Sequence, residues 1–370
     1  MSENPTGTRP SVVVLGGGYG GHKVAKLLDD VADVTLVDPS DAFVHNLAAW
    51  RALVEPEWLD RIFLPYRRLL EHGRFLRDSA VAVDGRRVTL ASGTTLEPDY
   101  LVLATGSAYA FPAKIDTPDA DAAKAQVRAA HDALREAGRV LLVGAGPVGL
   151  ELAGEIKAAF PGKHVTLADV SDDILPGPFE PSLRDELRRQ LAEIGVELKL
   201  GSALRELPAA EPATVAPIAI ATESGDKLVA DMWFRCFGVR LRTGYLRGEL
   251  AGALDERGYV QVDELLRVRG QERVFAIGDI ADADRDMAGL AARQGELLAA
   301  NLRAIITGEG EPVPYERQPA VIVVPLGPEG GAGQLPGQGV VGADAAAEIK
   351  GRDMLATYAS AAFDVPDKTA

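Results

Sequence analysis

Four consecutive apolar residues, Val12-Val13-Val14-Leu15, run into Gly16-Gly17-Gly18-Tyr19-Gly20-Gly21, beyond which the apolar spacing becomes helical, with Val24, Leu27 and Leu28 on one face. A buried strand, a glycine turn and an amphipathic helix are predicted in that order. A second apolar run, Val34-Thr35-Leu36-Val37, follows and ends in Asp38. The alternation returns later: Val140-Leu141-Leu142-Val143, glycines at 144, 146 and 149, a helix carrying Val148, Leu152 and Ile156, then Val165-Thr166-Leu167 leading to Asp169. Strand, helix and parallel strand form a βαβ unit, so the chain reads as an α/β protein that carries this unit twice.

The glycines have the G-x-G-x-x-G spacing in both copies. In that pattern the first glycine makes a tight turn, the second lets the backbone approach a pyrophosphate, and the third packs the helix against the strand. The helix that follows aims its positive end at the phosphates. Asp38 and Asp169 stand where a carboxylate holds ribose hydroxyls. One such loop is weak evidence; two, each with strand, helix and terminal acid, predict two bound dinucleotides.

The duplication reaches past the loops. Ser92-Gly93, Leu96, Asp99 and Gly106 recur, all displaced by one constant offset, as Ser224-Gly225, Leu228, Asp231 and Gly238. Both stretches predict a hairpin turn, then an apolar strand (100–104 and 232–236) ending at a glycine. Each half is therefore a nucleotide-binding βαβ unit, a small antiparallel meander and a return strand. An Ala-rich helix is predicted over 118–138, strands over 258–262 and 273–277, a long helix over 287–306, a linker over 308–319 and a buried strand over 321–324.

Composition narrows the partners. The chain has 370 residues and a formal net charge of −15, which disfavours nucleic acid and anionic lipid. Its single cysteine, Cys236, excludes an internal disulfide and points to a reducing cytoplasm. No signal-peptide core, membrane-spanning run or metal-ligand cluster is expected.

With these motifs in place, the chain resembles the two-dinucleotide flavoproteins. Leu-Val-Leu-Ala-Thr-Gly-Ser, ending at Ser107, and Phe275-Ala276-Ile277-Gly278-Asp279 match their other signatures. Within that group the segments 43–52, 104–107, 150–157 and 331–334 are similar to the quinone-reducing, apoptosis-inducing-factor-like proteins, with type II NADH dehydrogenases as cousins. The resemblance implies a glutathione-reductase-like fold. Its FAD-binding domain would be discontinuous (9–113 and 243–313), with an NAD(P)H-binding domain inserted (114–242) and a small C-terminal α+β domain following (314–370).

It also implies site residues. FAD would be held by Gly16, Gly18, Tyr19, Gly20, Gly21, Asp38, Arg51, Ala104, Thr105, Gly106, Gly278, Asp279 and Ala288, the last opening a helix aimed at the flavin pyrimidine edge. The nicotinamide nucleotide would meet Gly144, Gly146, Pro147, Val148, Gly149, Asp169 and Gly238. Asp169 is followed by Val170-Ser171-Asp172-Asp173, without a base, so NADH is expected over NADPH, although Lys163 and His164 precede the strand. Glu151 is the first candidate for a catalytic side chain, to position partners or handle a proton, with Arg51 a candidate to pair with it and His45 to relay a proton. Each has a plain structural alternative as a capping, surface or helix-stabilising residue.

Departures from the family pattern also bear on function. No Cys-x-x-Cys or Cys-x-x-x-x-Cys is present, so electrons are expected to leave the flavin directly. Cys236-Phe237-Gly238 replaces the usual Thr-Gly, which puts the geometry there in question. Serine at position 2 carries no myristoylation signal, and the tail after Phe363 lacks amphipathic helices, so membrane contact is expected to be transient at most. The leading expectation is an NADH:quinone oxidoreductase, monomeric or homodimeric. A ferredoxin-type reductase and an NADH-responsive redox sensor with slow oxidase activity are the alternatives, the ferredoxin reading being opposed by the acidic charge.

Overall fold

The computed structural model describes residues 9–284 and 286–363. The expectations for Ser2 and for the tail beyond Phe363 lie outside the described residues. Two parallel sheets organise the chain. In the first, the strands run Val274–Ala276, Tyr100–Leu103, Ser11–Leu15, Asp33–Asp38, Arg74–Arg77 across the sheet. In the second the order is Val196–Lys199, His164–Ala168, Arg139–Val143, Met232–Arg235. The edge strand Val274–Ala276 of the first sheet comes from beyond the second sheet in sequence. Where the chain crosses between the halves, Ser107–Ala108 and Arg240–Leu241 pair antiparallel.

The repeated sequence positions do the same structural work twice. Ser11 N donates to Asp99 Oδ2 and Arg139 N to Asp231 Oδ2, both at 2.8 Å, so each acid ties its return strand to the start of the first strand. The turn glycines Gly93 and Gly225 have φ of +88° and +97°. Around the turns the halves differ. The first carries the three-stranded meander Ala80–Asp84, Arg87–Leu90, Thr95–Leu96, whereas the second keeps only the hairpin Ile218–Ala221 with Lys227–Ala230.

Two local expectations change. Leu27 is 42% exposed, while Gly21, Val24, Ala25 and Leu28 form the buried stripe of the short helix Gly21–Leu28. The stripe follows the i, i+3, i+4, i+7 positions from Gly21, and Leu27 falls outside it. The predicted strand over 258–262 is absent. Val260 and Val262 make only isolated bridges, to Leu254, Ala281 and Val268, because acid-capped turns at Asp255 and Asp263 interrupt any longer pairing.

A third sheet, Ile322–Pro325, Gly331–Leu335 and Gly339–Val341, packs on the helices Pro147–Ala159 and Pro181–Glu193. It comes so close that a methyl group placed on Gly154 falls 2.4 Å from Leu326 Cα. Gln190, buried, receives the Gly331 amide and donates to its carbonyl, closing the same contact.

The glycine loops impose the tightest steric limits. Gly16 and Gly144 have φ of +98° and +113°, which only glycine adopts without strain. A methyl group on Gly21 or Gly149 falls 1.9 Å from the carbonyl oxygen of Gly16 or Gly144. Gly149→Ala is therefore expected to lower the unfolding free energy by about 1–3 kcal/mol or more. Gly162→Ala, on a residue with no atom within 4 Å of the added methyl group, is expected to be neutral. Urea unfolding of the two variants checks this, and equal stabilities would contradict it.

Candidate functional site

The second glycines, Gly18 and Gly146, are the open ones: no protein atom lies within 4 Å of a methyl group built on either. The loops thus leave room where a pyrophosphate would press against the backbone. Beside each loop the strand-end acid is already oriented. Asp38 accepts from Gly17 N at 2.7 Å and Ser40 N at 2.9 Å, and Asp169 from Ala145 N at 2.6 Å and Ser171 N at 2.8 Å. Each carboxylate oxygen keeps a lone pair for a ribose hydroxyl. Burial raises the Asp38 carboxyl above its usual range, and the Gly17 and Ser40 amides oppose that rise.

The glycines that follow the return strands also correspond. Gly106 and Gly238 have φ of +64° and +92°. A methyl group on Gly16 falls 2.3 Å from Ala104 O, and one on Gly144 falls 2.6 Å from Cys236 O. Phe237 therefore does not disturb the loop geometry. Thr105 turns its hydroxyl to Arg242 O at 2.7 Å and to the Tyr245 hydroxyl at 3.1 Å, so its side chain fixes the return crossing and its backbone is what faces the loop.

Asp279 sits in a cluster that sequence reasoning did not foresee. Ser107 Oγ donates to Asp279 Oδ2 at 2.6 Å, and Lys114 Nζ reaches the same oxygen at 2.9 Å while bonding the Ser107 hydroxyl and carbonyl. All three lysine donors are used. Gly278 N donates to buried Gln294 Oε1 at 2.7 Å, tying the segment to the helix Ala288–Thr307. That helix passes Gly20 so closely that a methyl group on Gly295 falls 2.4 Å from Gly20 O.

The three candidate catalytic side chains are all buried. Glu151, 3% exposed, accepts from Trp50 Nε1 at 3.0 Å and from Lys350 Nζ at 2.6 Å. The expected Arg51 to Glu151 pair is replaced: Arg51 holds Glu155, with Nη2 to Oε1 at 2.8 Å, and also the Gly351 carbonyl at 2.9 Å. Glu155 lies one helical turn beyond Glu151, directly opposite the helix Ala49–Val54, and takes the guanidinium first. Burial raises both carboxyls, while Lys350 and Trp50 pull Glu151 back and Arg51 pulls Glu155 back.

His45 is pinned at both nitrogens. Nε2 donates to Met354 O at 2.7 Å, which leaves Nδ1 to accept from the Tyr19 hydroxyl at 3.2 Å, and that hydroxyl accepts from Leu47 N at 3.1 Å. Burial lowers its pKa to about 4, so the ring is neutral and of fixed tautomer, unsuited to a relay near neutral pH. Lys163 and His164, which left the nucleotide preference open, lie at the far end of the strand from Asp169. Lys163 Nζ donates to Arg135 O at 3.1 Å and also to Ala137 O, and His164 meets Glu197 at 3.1 Å. Cys236 is 3% exposed, and burial pushes its thiol up to about 12.

Two Gly-loop sites on two parallel sheets, each beside a strand-end carboxylate, define a flavoprotein that binds two dinucleotides. Residues 10–295 match the pyridine nucleotide-disulphide oxidoreductase family, and the chain belongs to it. It is an FAD-dependent NAD(P)H oxidoreductase, as the sequence resemblance implied. The chain is 32% identical over 337 residues to ferroptosis suppressor protein 1 of Homo sapiens, covering 88% of each. It is 26% identical over 377 residues to apoptosis-inducing factor homolog A of Dictyostelium discoideum, covering 96% of this chain and 92% of that one. Among solved structures it resembles the sulfide:quinone oxidoreductase of Aquifex aeolicus, with TM-score 0.71, 18% identity and coverage of 94% and 90%. Among the described residues no helix is long and apolar enough to cross a membrane, and no cluster of three metal-ligating side chains occurs.

His45 gives this site a pH signature. Its unfolded pKa is about 6.5 and its folded pKa about 4, so between those values the unfolded chain binds the extra proton and stability falls as pH falls. His22, lowered to about 3 by burial, acts in the same direction. His45→Gln is expected to flatten the loss between pH 6.5 and 5 by up to about 1.4 kcal/mol per pH unit. Urea unfolding across that range reads it, and an unchanged slope would show that His45 is not buried in the neutral form.

Proposed function

We propose that this chain is an NADH:quinone oxidoreductase. The overall reaction is NADH, a proton and quinone giving NAD+ and quinol, with the second loop as the site that would hold NADH and the first as the site that would hold FAD. The observation that carries this reading is the buried, protonated Cys236: the chain has one cysteine and so lacks any dithiol to carry electrons between flavin and acceptor. The sulfide:quinone oxidoreductase, similar in fold, supports a quinone as the group that collects them.

In this proposal residues 9–113 and 243–313 hold FAD, 114–242 hold NADH, and 314–370 close the site. Bound FAD supplies a two-electron acceptor that hands electrons on without a protein thiol. Gly18 and the helix from Gly21 would hold its pyrophosphate, Asp38 its adenosine ribose, and Asp279, held by Lys114 and Ser107, its ribityl chain. Ala288 opens the helix whose amides favour negative charge on the pyrimidine edge. Gly146 and Pro147 open the second helix toward the NADH pyrophosphate. Asp169 selects NADH because a carboxylate accepts from the 2′-hydroxyl and repels a 2′-phosphate. Glu151 positions partners or handles the proton that accompanies reduction: burial raises its carboxyl, and Lys350 Nζ on Oε1 with Trp50 Nε1 on Oε2 pulls it back toward the anion. Arg51 and His45 act as positioning residues, through Glu155 and Met354. A cytoplasmic protein touching a membrane surface transiently, as monomer or homodimer, completes the proposal.

Anaerobic reduction by NADH, followed by mixing with menadione, a ferredoxin or air, tests the acceptor. Fast reoxidation by menadione alone is expected. Fast reoxidation by ferredoxin would replace the reading with a reductase of small electron carriers, and a reduced form that persists against all three would replace it with a redox sensor. Asp169→Ala is expected to narrow the NADH to NADPH ratio of kcat/KM by about tenfold or more, since it removes a charge-assisted hydrogen bond and a repulsion together. An unchanged ratio would place selectivity elsewhere.

A further inference from the structure

The strand Met232–Arg235 ends in a cation without an anion. Arg235 Nε is buried and has no hydrogen-bond partner. Among the described residues the guanidinium has no ion pair either; it lies 4.6 Å from the Phe237 ring, and a methyl group on Gly238 would fall 2.9 Å from Nη2. Several other cations of this half are committed. Arg139 is held by Asp231, Lys199 by Glu197 and Arg188 by Asp173, and Arg184 donates to the carbonyls of residues 175, 177 and 179. Leaving a guanidinium partly desolvated with donors unmade costs free energy that the fold alone does not recover.

The duplication shows that the fold does not require this arginine. In the second sheet Val143 pairs with Arg235, and in the first the equivalent Leu15 pairs with Leu103, fully buried and apolar. Its position is informative. From Arg139–Val143 the chain steps to His164–Ala168 on one side and later to Met232–Arg235 on the other, so the strand order reverses between Arg139–Val143 and Met232–Arg235. Ligands of open parallel sheets lie in the crevice beyond the strand ends at that reversal. A nucleotide anchored by its adenosine ribose at Asp169 and crossing the open face of Gly146 carries its two phosphate charges toward Arg235.

We infer that Arg235 binds the pyrophosphate of the nicotinamide nucleotide and supplies the counter-charge missing from the free protein. This rests on the assignment of the second loop to NADH. The arginine replaces the leucine of the FAD half because the substrate nucleotide must bind and leave in each turnover, and an ionic contact forms and breaks without rebuilding an apolar core.

Anaerobic calorimetric titration of the FAD-loaded protein, its flavin first reduced with dithionite, with NADH, ADP-ribose and AMP, for wild type, Arg235→Met and Arg235→Lys, tests the inference alongside thermal unfolding. Arg235→Met is expected to weaken NADH and ADP-ribose alike by about 10- to 100-fold, as for loss of one charged hydrogen-bonding group. AMP, which lacks the pyrophosphate, should bind as before, and the ADP-ribose Kd should become less sensitive to salt. Arg235→Lys should recover part of the loss. Without nucleotide, the methionine variant should unfold at the same or a higher temperature, since a buried orphan donor is gone. Unchanged ADP-ribose affinity with a lower unfolding temperature would make Arg235 a purely structural residue, and weakening of NADH alone would move its contact to the nicotinamide end. Failure of the wild type to bind NADH or ADP-ribose while retaining FAD would overturn the second-loop assignment as well.

Discussion

Glu151 and Glu155, one turn apart on the helix that opens at the second glycine loop, are buried side by side, and each must be neutralised from a different part of the chain. Lys350 reaches back from the C-terminal segment to the first, and Arg51 comes from the helix Ala49–Val54 to the second. Arg51 also bonds the carbonyl of Gly351, next to Lys350. The three parts of the chain that meet here are therefore locked by one junction of opposed charges. Removing one partner of a buried pair leaves an uncompensated charge worth about 3–5 kcal/mol, so none of the three parts can shift alone without exposing that cost.

Around this junction the protein uses one structural unit twice and alters it where the two nucleotides differ in purpose. The glycine turns, strand-end acids and strand-tying acids Asp99 and Asp231 are equivalent. The first half adds Ser107 and Lys114 to fix Asp279, a saturated cluster suited to a cofactor that stays bound. The second half ends its return strand in Arg235, whose buried Nε has no hydrogen-bond partner among the described residues.

Much of this was legible from local pattern. Both glycine loops, their helices, the strand-end acids and the repeated Asp and Gly positions follow from short-range spacing, because a βαβ unit encodes its own turn and packing chemistry. Three kinds of feature were not. The partners of the charged residues, Lys350 for Glu151 and Glu155 for Arg51, lie 199 and 104 residues away, and spacing does not carry such pairings. Lys114 was invisible because a lysine in a loop has no periodic signal. The stretch 258–262 alternates like a strand, yet its capped turns leave no neighbour to pair with over more than one residue.

The central claim is an order: FAD on the first loop, NADH on the second, with the electrons leaving without a thiol. A crystal structure of the FAD-loaded protein soaked anaerobically with NADH tests it directly. The account predicts FAD pyrophosphate against Gly18 with its ribose on Asp38, and nicotinamide nucleotide pyrophosphate against Gly146 with its ribose on Asp169. A nicotinamide nucleotide on the first loop, or FAD on the second, would contradict it.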